Sequence, residues 1–277
     1  MSLPEGRRRG PGRAGLLALG ERLSERDRAV LDAVSTHRFL TTRHIEQLLF
    51  HDHASALAGA RACRRTLARL EGWSLLQRLQ RRVGGLRAGS AASIWAVSTV
   101  GQRLRSLHAG EGAIVRVREP SERFARHCLA IADLHVSLVL AERAGQLEVL
   151  ETALEPDCWR SYLAFSGIRE VLKPDLFAVT ISPSDPDFEH HWFVERDLGH
   201  EHLPTVLAKC RQYQQYQRTG QEQQARGIFP LVVWVMSNEL RVSRLQDNLT
   251  AARGLDAVLF RVTTPESFMT LVTGGTV

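Results

Sequence analysis

Two short polar segments carry the residue types that hydrolysis of a phosphodiester needs. The first is Lys173-Pro174-Asp175, and the second is Glu195-Arg196-Asp197, which Lys209 follows. Lys173 and Lys209 are the only lysines in the sequence. Carboxylates at buried strand ends commonly hold a divalent cation, which can activate water for attack on phosphorus. The pattern therefore predicts a metal site at Asp175 and Glu195, with Mg²⁺ or Mn²⁺ as the cofactor if the protein is an active enzyme.

The elements that would position these residues form a mixed sheet with helices around it. Apolar spacing and turn residues predict a helix at 120–144, strands at 147–154, 171–181 and 191–196, a helix at 203–217, a strand at 229–236, a helix at 243–253 and a strand at 257–262. The strand at 229–236 is apolar without alternation, which is typical of a strand covered on both faces. Asp175 and Glu195 then lie on neighbouring strands of one sheet.

The first half of the chain predicts a helix-turn-helix with a wing. Ser24 is a good N-cap for a helix at 25–36, and Thr41 or Thr42 can cap a short second helix. A third helix at 53–72 and a hairpin at 75–97 follow, and a helix from Thr99 closes the domain. This order of elements is that of winged helix domains.

Arginines mark the surfaces that would meet DNA. The third helix is placed in the major groove, because arginine forks can bind guanine edges or clamp phosphates. Its candidate DNA-binding residues are Arg61, Arg64, Arg65 and Arg69. The wing tip would lie along the phosphate backbone with Arg81, Arg82 and Arg87. The alternative is that these arginines form a solvated face of a protein-interaction module.

Charge also divides the chain in two. Residues 1–118 contain 21 Arg, no Lys and 9 Asp+Glu, a net charge of +12, whereas residues 119–277 contain 15 Lys+Arg and 21 Asp+Glu, a net charge of −6. A basic first half suits a polyanionic partner. Coding bias in a GC-rich genome can explain arginine in place of lysine, but it does not explain the change of sign.

Length and composition favour a cytoplasmic protein of two domains with no membrane partner. A chain of 277 residues exceeds the ~100 to 200 typical of one domain, and 44% hydrophobic with 24% charged residues is typical of a soluble globular protein. No apolar run approaches the ~18 residues of a membrane span. Four cysteines lie far apart without a CxxC pair, so neither a zinc site nor a disulfide framework is indicated. The start, with Arg7-Arg8-Arg9, is interpreted as a disordered basic arm at 1–22.

The order of strands, with Pro174-Asp175 on the second and Glu195 at the end of the third, resembles the PD-(D/E)XK phosphodiesterase superfamily. The resemblance implies a restriction-endonuclease-like fold in which Asp175 and Glu195 bind the metal. It also implies a glutamate upstream, which we assign to Glu155 with Glu151 as the alternative. The family's lysine would stand two residues beyond the second acid, where this sequence has Asp197.

Either of the two lysines could replace the missing one. We favour Lys209, since a long side chain on the helix after the third strand can reach back over the strand ends, together with Gln212 or Tyr213. Lys173 is the alternative. Asp197 stays a candidate site residue that, like Glu155, could orient a second water.

A wider set of residues resembles the bacterial replication-relaxation family. The set comprises Ile94-Trp95-Ala96-Val97-Ser98-Thr99-Val100-Gly101, a helix near His127 with Ala130, Asp133 and His135, Pro174-Asp175, the run from Phe193 to Glu201, Lys209 and Tyr213. The resemblance covers most of residues 25–235. It implies a part in the replication of plasmids or other mobile elements, or in DNA relaxation.

The sequence thus predicts an α+β protein with a winged helix-turn-helix domain at 23–118 and an α/β restriction-endonuclease-like domain, built on a central mixed sheet, at 119–277. One hypothesis is a metal-dependent DNA nickase or endonuclease. The other is a catalytically inactive DNA-binding factor that represses a promoter or assembles a replication or transfer complex. Both predict double-stranded DNA as a partner, and other replication or transfer proteins would join in the second. The oligomeric state stays open.

Overall fold

The computed structural model describes residues 11–79, 93–109 and 120–274. The chain forms two compact units, Met1–Leu129 and Ala130–Val277. The division falls within one long helix, α6 (Glu122–Arg143).

The first unit is mostly helical and includes a small antiparallel sheet. Its helices are α1 (Arg13–Glu21), α2 (Glu25–Thr36), α3 (Thr42–Leu49), α4 (Ala56–Gly72) and α5 (Thr99–Ala109), and its strands are β1 (Leu40–Thr41), β2 (Leu76–Arg78) and β3 (Ile94–Val97). The strand order is β1-β3-β2. Residues 80–92, the predicted wing tip with Arg81, Arg82 and Arg87, lie outside the described residues.

Capping explains where the helices of the first unit begin. The Ser24 hydroxyl accepts from the Asp27 N–H and the Asp27 carboxylate accepts from the Ser24 N–H, which closes a capping box at the start of α2. Thr41 and His44 form the corresponding pair at the start of α3. The predicted caps at Ser24 and Thr41 are therefore confirmed.

Two expectations for the first unit differ from the structure. The segment predicted as a disordered arm contains α1, because Leu16 is buried and supplies a packing contact that a free arm lacks. The sequence of the third helix also predicts one apolar face shared by Leu57, Leu67 and Leu70, but Leu57 is 58% exposed whereas the other two are buried. Leu57 precedes Arg61 by one turn and so extends the exposed face of α4 rather than its core face.

The second unit is built on a mixed five-stranded sheet, which confirms the predicted α+β class. Its strands are β4 (Glu148–Leu154), β7 (Leu176–Ser182), β8 (Asp185–Arg196), β9 (Leu231–Val235) and β10 (Phe260–Thr263), in the order β10-β9-β8-β7-β4. The strands β8, β9 and β10 are parallel, whereas β7 pairs antiparallel with both β8 and β4. A separate hairpin of β5 (Arg160–Leu163) and β6 (Arg169–Leu172) connects β4 to β7.

Helices cover both faces of this sheet. One face packs on α7 (Leu203–Thr219) and α9 (Glu239–Ala251), and the other packs on α6 and α10 (Pro265–Val272). Val232 and Trp234 point to the first face, and Val233 and Val235 to the second, so β9 is covered on both sides as its unbroken apolar run predicts. A short helix, α8 (Gln221–Arg226), follows α7.

Among the described helices, α6 alone has the length and apolar content of a membrane span. This corrects the expectation that nothing in the chain approaches one. Its most apolar window is 44% buried, and Ile131, Leu134 and Leu138 pack in the core of the second unit. The apolar content is therefore explained by packing under the sheet.

Candidate active site

Three acids stand side by side at one end of three neighbouring strands. Leu154 pairs with Leu176 across β4 and β7, and Leu176 pairs with Val194 across β7 and β8. One residue beyond these pairs, the same register sets Glu155 beside Asp175 and Asp175 beside Glu195. Because β7 runs opposite to its two neighbours, an acid at its start meets acids at the ends of theirs.

Alternation turns these side chains toward one helix. Asp175 shares a strand face with Phe177, and Glu195 shares one with Phe193, since side chains two residues apart point the same way. Both phenylalanines pack in the core under α7. The two carboxylates therefore face α7.

The carboxylates are held by hydrogen bonds at the margin of that core. Asp175 is 5% exposed, and its Oδ2 accepts from the backbone N–H of Arg196 at 2.7 Å. Glu195 is 2% exposed. A carboxylate oxygen of Glu155 lies within 4.8 Å of one of Asp175. Glu155 and Asp175 could thus share a hard cation, which prefers oxygen ligands.

Helix α7 supplies the partners of Glu195. Lys209 and Tyr213 are four residues apart and therefore project from the same side of the helix. Lys209 Nζ donates to Glu195 Oε2 at 2.5 Å, and Tyr213 Oη donates to Oε1 at 2.5 Å. Both oxygens of Glu195 are engaged by side chains of one helix face.

Burial dominates the electrostatics of this group. It raises the pKa of the Glu195 carboxyl to about 8, and Asp175 adds to the rise while Lys209 and Tyr213 oppose it. Burial alone would lower the pKa of Lys209, but the nearby Glu195 and Asp175 more than compensate and raise it above the usual value. We conclude that Lys209 keeps its positive charge, and that Glu195 holds a proton more tightly than an exposed glutamate.

Asp197, where the PD-(D/E)XK pattern has a lysine, is part of a structural ion pair. Its Oδ2 accepts from Arg241 Nε at 2.7 Å, and its Oδ1 accepts from the Gly199 N–H at 2.8 Å. Arg241 Nη2 also donates to the Glu201 carbonyl. These bonds fasten the loop after β8 to α9.

The two alternatives that sequence reasoning left open lie elsewhere. Lys173 is exposed, and its Nζ sits 4.5 Å from the centre of the Trp159 ring. Glu151 pairs with Arg226 through two hydrogen bonds of 2.8 and 3.0 Å. Glu151 is opposite Val179, well along β7 from Asp175. The structure therefore brings together Glu155, Asp175, Glu195 and Lys209.

A protein-family model matches the region of the chain that contains this site. The model of the replication-relaxation family matches residues 31–232. The chain belongs to the replication-relaxation family. The match covers most of the chain and includes all four grouped residues, and it suggests a role in plasmid or mobile-element replication. Searches among curated proteins and among solved structures found no similar chain.

The candidate DNA-binding arginines of this replication-relaxation protein divide into two kinds. Arg61, Arg64 and Arg65 are exposed on α4. Arg69 is also exposed, with 41% of its side-chain surface accessible, but it donates to the buried Asp27 at 2.5 Å, which fastens α4 to α2. An arginine committed to an internal pair is less available to a phosphate, so Arg69 is a weaker candidate for DNA contact than the sequence indicates.

Two arginines that form ion pairs in this family member were not predicted from the sequence. Arg241 lies 44 positions beyond its partner Asp197, and no local pattern marks it. Arg160 pairs with the buried Glu222 at 2.9 Å and covers the rings of Phe177 and Phe193. The sequence predicts Tyr213 only as a neighbour of Lys209, although their spacing of four residues already indicates that both project from the same side of the helix.

Proposed function

We propose that this replication-relaxation protein binds duplex DNA through its first unit and hydrolyses a phosphodiester bond at the site formed by its second unit. The observation that carries the proposal is the row Glu155, Asp175 and Glu195, with the ammonium group of Lys209 2.5 Å from Glu195 Oε2. The reaction class is metal-dependent nicking or cleavage of DNA.

The donor set fits a divalent cation of the hard type. Asp175 and Glu195 would hold Mg²⁺ or Mn²⁺, and Glu155 has a carboxylate oxygen within 4.8 Å of one of Asp175. Such an ion, when bound, lowers the pKa of a coordinated water and neutralises charge on the phosphate.

Lys209 and Tyr213 would act on the acids and on the developing charge. An ammonium group beside the acids can stabilise negative charge that builds on the phosphate oxygens. Tyr213 Oη orients the Glu195 carboxylate by donating to Oε1. In this proposal Lys209 replaces the lysine that the PD-(D/E)XK pattern has at position 197, where this chain has Asp197.

DNA binding is assigned to the exposed face of α4. Arg61, Arg64 and Arg65 project from neighbouring turns of this helix, and the residues up to 118 carry a net charge of +12. The caps of α2 and α3 and the strand order β1-β3-β2 fit a winged helix domain. In such a domain the recognition helix, which corresponds to α4 here, reads the major groove.

The test is nicking of supercoiled plasmid in Mg²⁺ or Mn²⁺ by the full chain and two variants. Asp175→Asn removes a metal ligand at nearly constant volume, whereas Asp185→Asn changes an aspartate at the opposite end of β8 and is the matched control. We expect wild type and Asp185→Asn to nick and Asp175→Asn to be inactive. No nicking by wild type in either metal, with retarded DNA in a gel shift, would refute hydrolysis and leave DNA binding.

A second function has one observation in its favour. Both Glu195 oxygens already accept hydrogen bonds from Lys209 and Tyr213, so the group is satisfied without a cation. A DNA-binding factor with an inactive nuclease-like unit would retain such a cluster for stability alone. In that case Asp175→Asn leaves DNA affinity unchanged, and no variant nicks.

A further inference from the structure

The β5–β6 hairpin presents apolar side chains to solvent. Leu163, Phe165 and Ile168, at and beside its tip, are 58%, 78% and 63% exposed. Neighbouring exposed apolar side chains can form the contiguous patch that a binding surface presents. The opposite side of the hairpin is buried, with Tyr162 and Leu172 in the core under α7.

The tip is held in a fixed shape. The Ala164 N–H donates to the Ile168 carbonyl at 2.9 Å, and the Gly167 N–H donates to the Ala164 carbonyl at 2.8 Å. Gly167 adopts a φ of +77°, which a residue with a Cβ rarely adopts. Phe165 and Ile168 are therefore held outward by the turn rather than left on a loose loop.

The base of the hairpin lies at the candidate active site. The hairpin connects Glu155, after β4, to Asp175, before β7, and the Cys158 Sγ donates to the Pro174 carbonyl at 3.0 Å between its two ends. Four or five extended residues separate base from tip, a distance of roughly 15 Å. Along duplex DNA that distance corresponds to about four base steps.

The charge of the hairpin selects a polyanion as its partner. Residues 160–173 contain one acid and three basic residues, of which Arg160 is paired with Glu222. The acid, Glu170, accepts a hydrogen bond from Tyr162 Oη at 2.7 Å. Arg169, opposite Leu163, and Lys173 are both exposed. An apolar tip beside an exposed arginine, on a hairpin with an exposed lysine at its base, fits a stack of bases and the phosphate backbone that borders it.

We propose that Phe165 and Ile168 form a wedge that enters the base stack of DNA beside the candidate active site and holds bases unstacked. The inference rests on the proposed DNA-binding function, but it requires no hydrolysis. A wedge would bind DNA that is already opened more tightly than paired DNA, because opening then costs the protein nothing.

The test compares binding of two DNA probes in EDTA, so that no metal and no cleavage enter. One probe is a fully paired duplex, and the other has the same sequence with a short central bubble of mismatches. The proteins are the wild type, the double variant Phe165→Ser/Ile168→Ser, and the control Phe188→Ser. Phe188 is 64% exposed and lies on β8 toward the end opposite Glu195.

We expect the wild type and Phe188→Ser to bind the bubble roughly tenfold more tightly than the paired duplex, as stacking of one or two bases provides. The double variant should lose this preference and bind the paired duplex as well as the wild type does.

Equal binding of both probes by the wild type would overturn the wedge alone. Absence of binding to either probe would overturn the DNA-binding function itself. A preference for the bubble that is unchanged in the double variant would also overturn the wedge.

Discussion

Substitution of Lys209 by methionine tests the most specific part of the proposed chemistry. Methionine keeps the length of the side chain and removes its charge and its hydrogen bond to Glu195. The ammonium lies 2.5 Å from Glu195 Oε2, and the Glu195 side chain is 3% exposed. Removing a preorganised donor from such a site typically slows catalysis by about 100- to 1,000-fold. We expect metal-dependent nicking by Lys209→Met to fall by at least about 100-fold.

The sequence provides the matched control for this experiment. Lys173 is the only other lysine, and its ammonium is exposed over the ring of Trp159. A cation–π contact at an exposed site contributes about 0.5–1 kcal/mol, so Lys173→Met should change nicking by fivefold at most. Rates are measured at saturating plasmid, with circular dichroism melting to check the fold of each variant.

The pH profile separates a chemical role of Lys209 from a structural one. Burial already raises the pKa of Glu195 to about 8, and loss of Lys209 would raise it further. Part of the lost activity should therefore return as the pH rises, since the variant then regains the ionised carboxylate. The reasoning is refuted if Lys209→Met nicks like the wild type, or if Lys173→Met is the inactive variant.

Three other perturbations follow from the geometry. Glu222→Gln leaves the largely buried guanidinium of Arg160 without its charge partner and should cost about 3 kcal/mol in urea unfolding. The partly exposed pair lost in Glu151→Gln should cost under about 1 kcal/mol. The folded state holds the Glu195 proton up to about pH 8, while an ordinary glutamate loses it near 4.5, so stability falls as the pH rises between these values. The melting temperature of the wild type should therefore fall more between pH 5 and 9 than that of Glu195→Gln; equal slopes would contradict the raised pKa. Arg64→Ala/Arg65→Ala should weaken duplex binding and flatten its logarithmic salt dependence by about two, and an unchanged slope would remove α4 from the interface.

The elements that local chemistry specifies could be predicted closely. The capping pair Ser24 and Asp27 begins α2 at the predicted residue, and the apolar run of β9 marks a strand with two covered faces. The turn before β7 was harder to predict. The apolar stretch at 171–181 reads as one strand, but it divides at Lys173 and Pro174 into β6 and β7, which belong to different sheets. Proline and the residue before it interrupt the ladder without changing the apolar pattern.

Contacts that join distant segments could not be predicted. Asp197 stands where a resemblance places a lysine, and its sequence neighbours suit a capped turn. Only the fold brings Arg241 to it from a helix that begins beyond β9. Arg69 likewise has the spacing of a groove-binding arginine, yet it forms an ion pair with Asp27 on another helix. In both cases the residue type was read correctly, and the partner that decides its role lies 40 or more residues away.

The fold explains why the amine near the three acids lies on α7 and not at position 197. At position 197 a side chain shares the face of Glu195, but the loop after β8 must also be held to α9, and a carboxylate with Arg241 does this. Helix α7 is already fixed over the same strands by Val206, Cys210 and Tyr213, all fully buried. A lysine one turn before Tyr213 therefore reaches Glu195 without any change of backbone. The side chain that anchors the loop and the amine proposed for catalysis therefore lie on different elements, and an amine supplied by the helix makes Asp197 compatible with an active site.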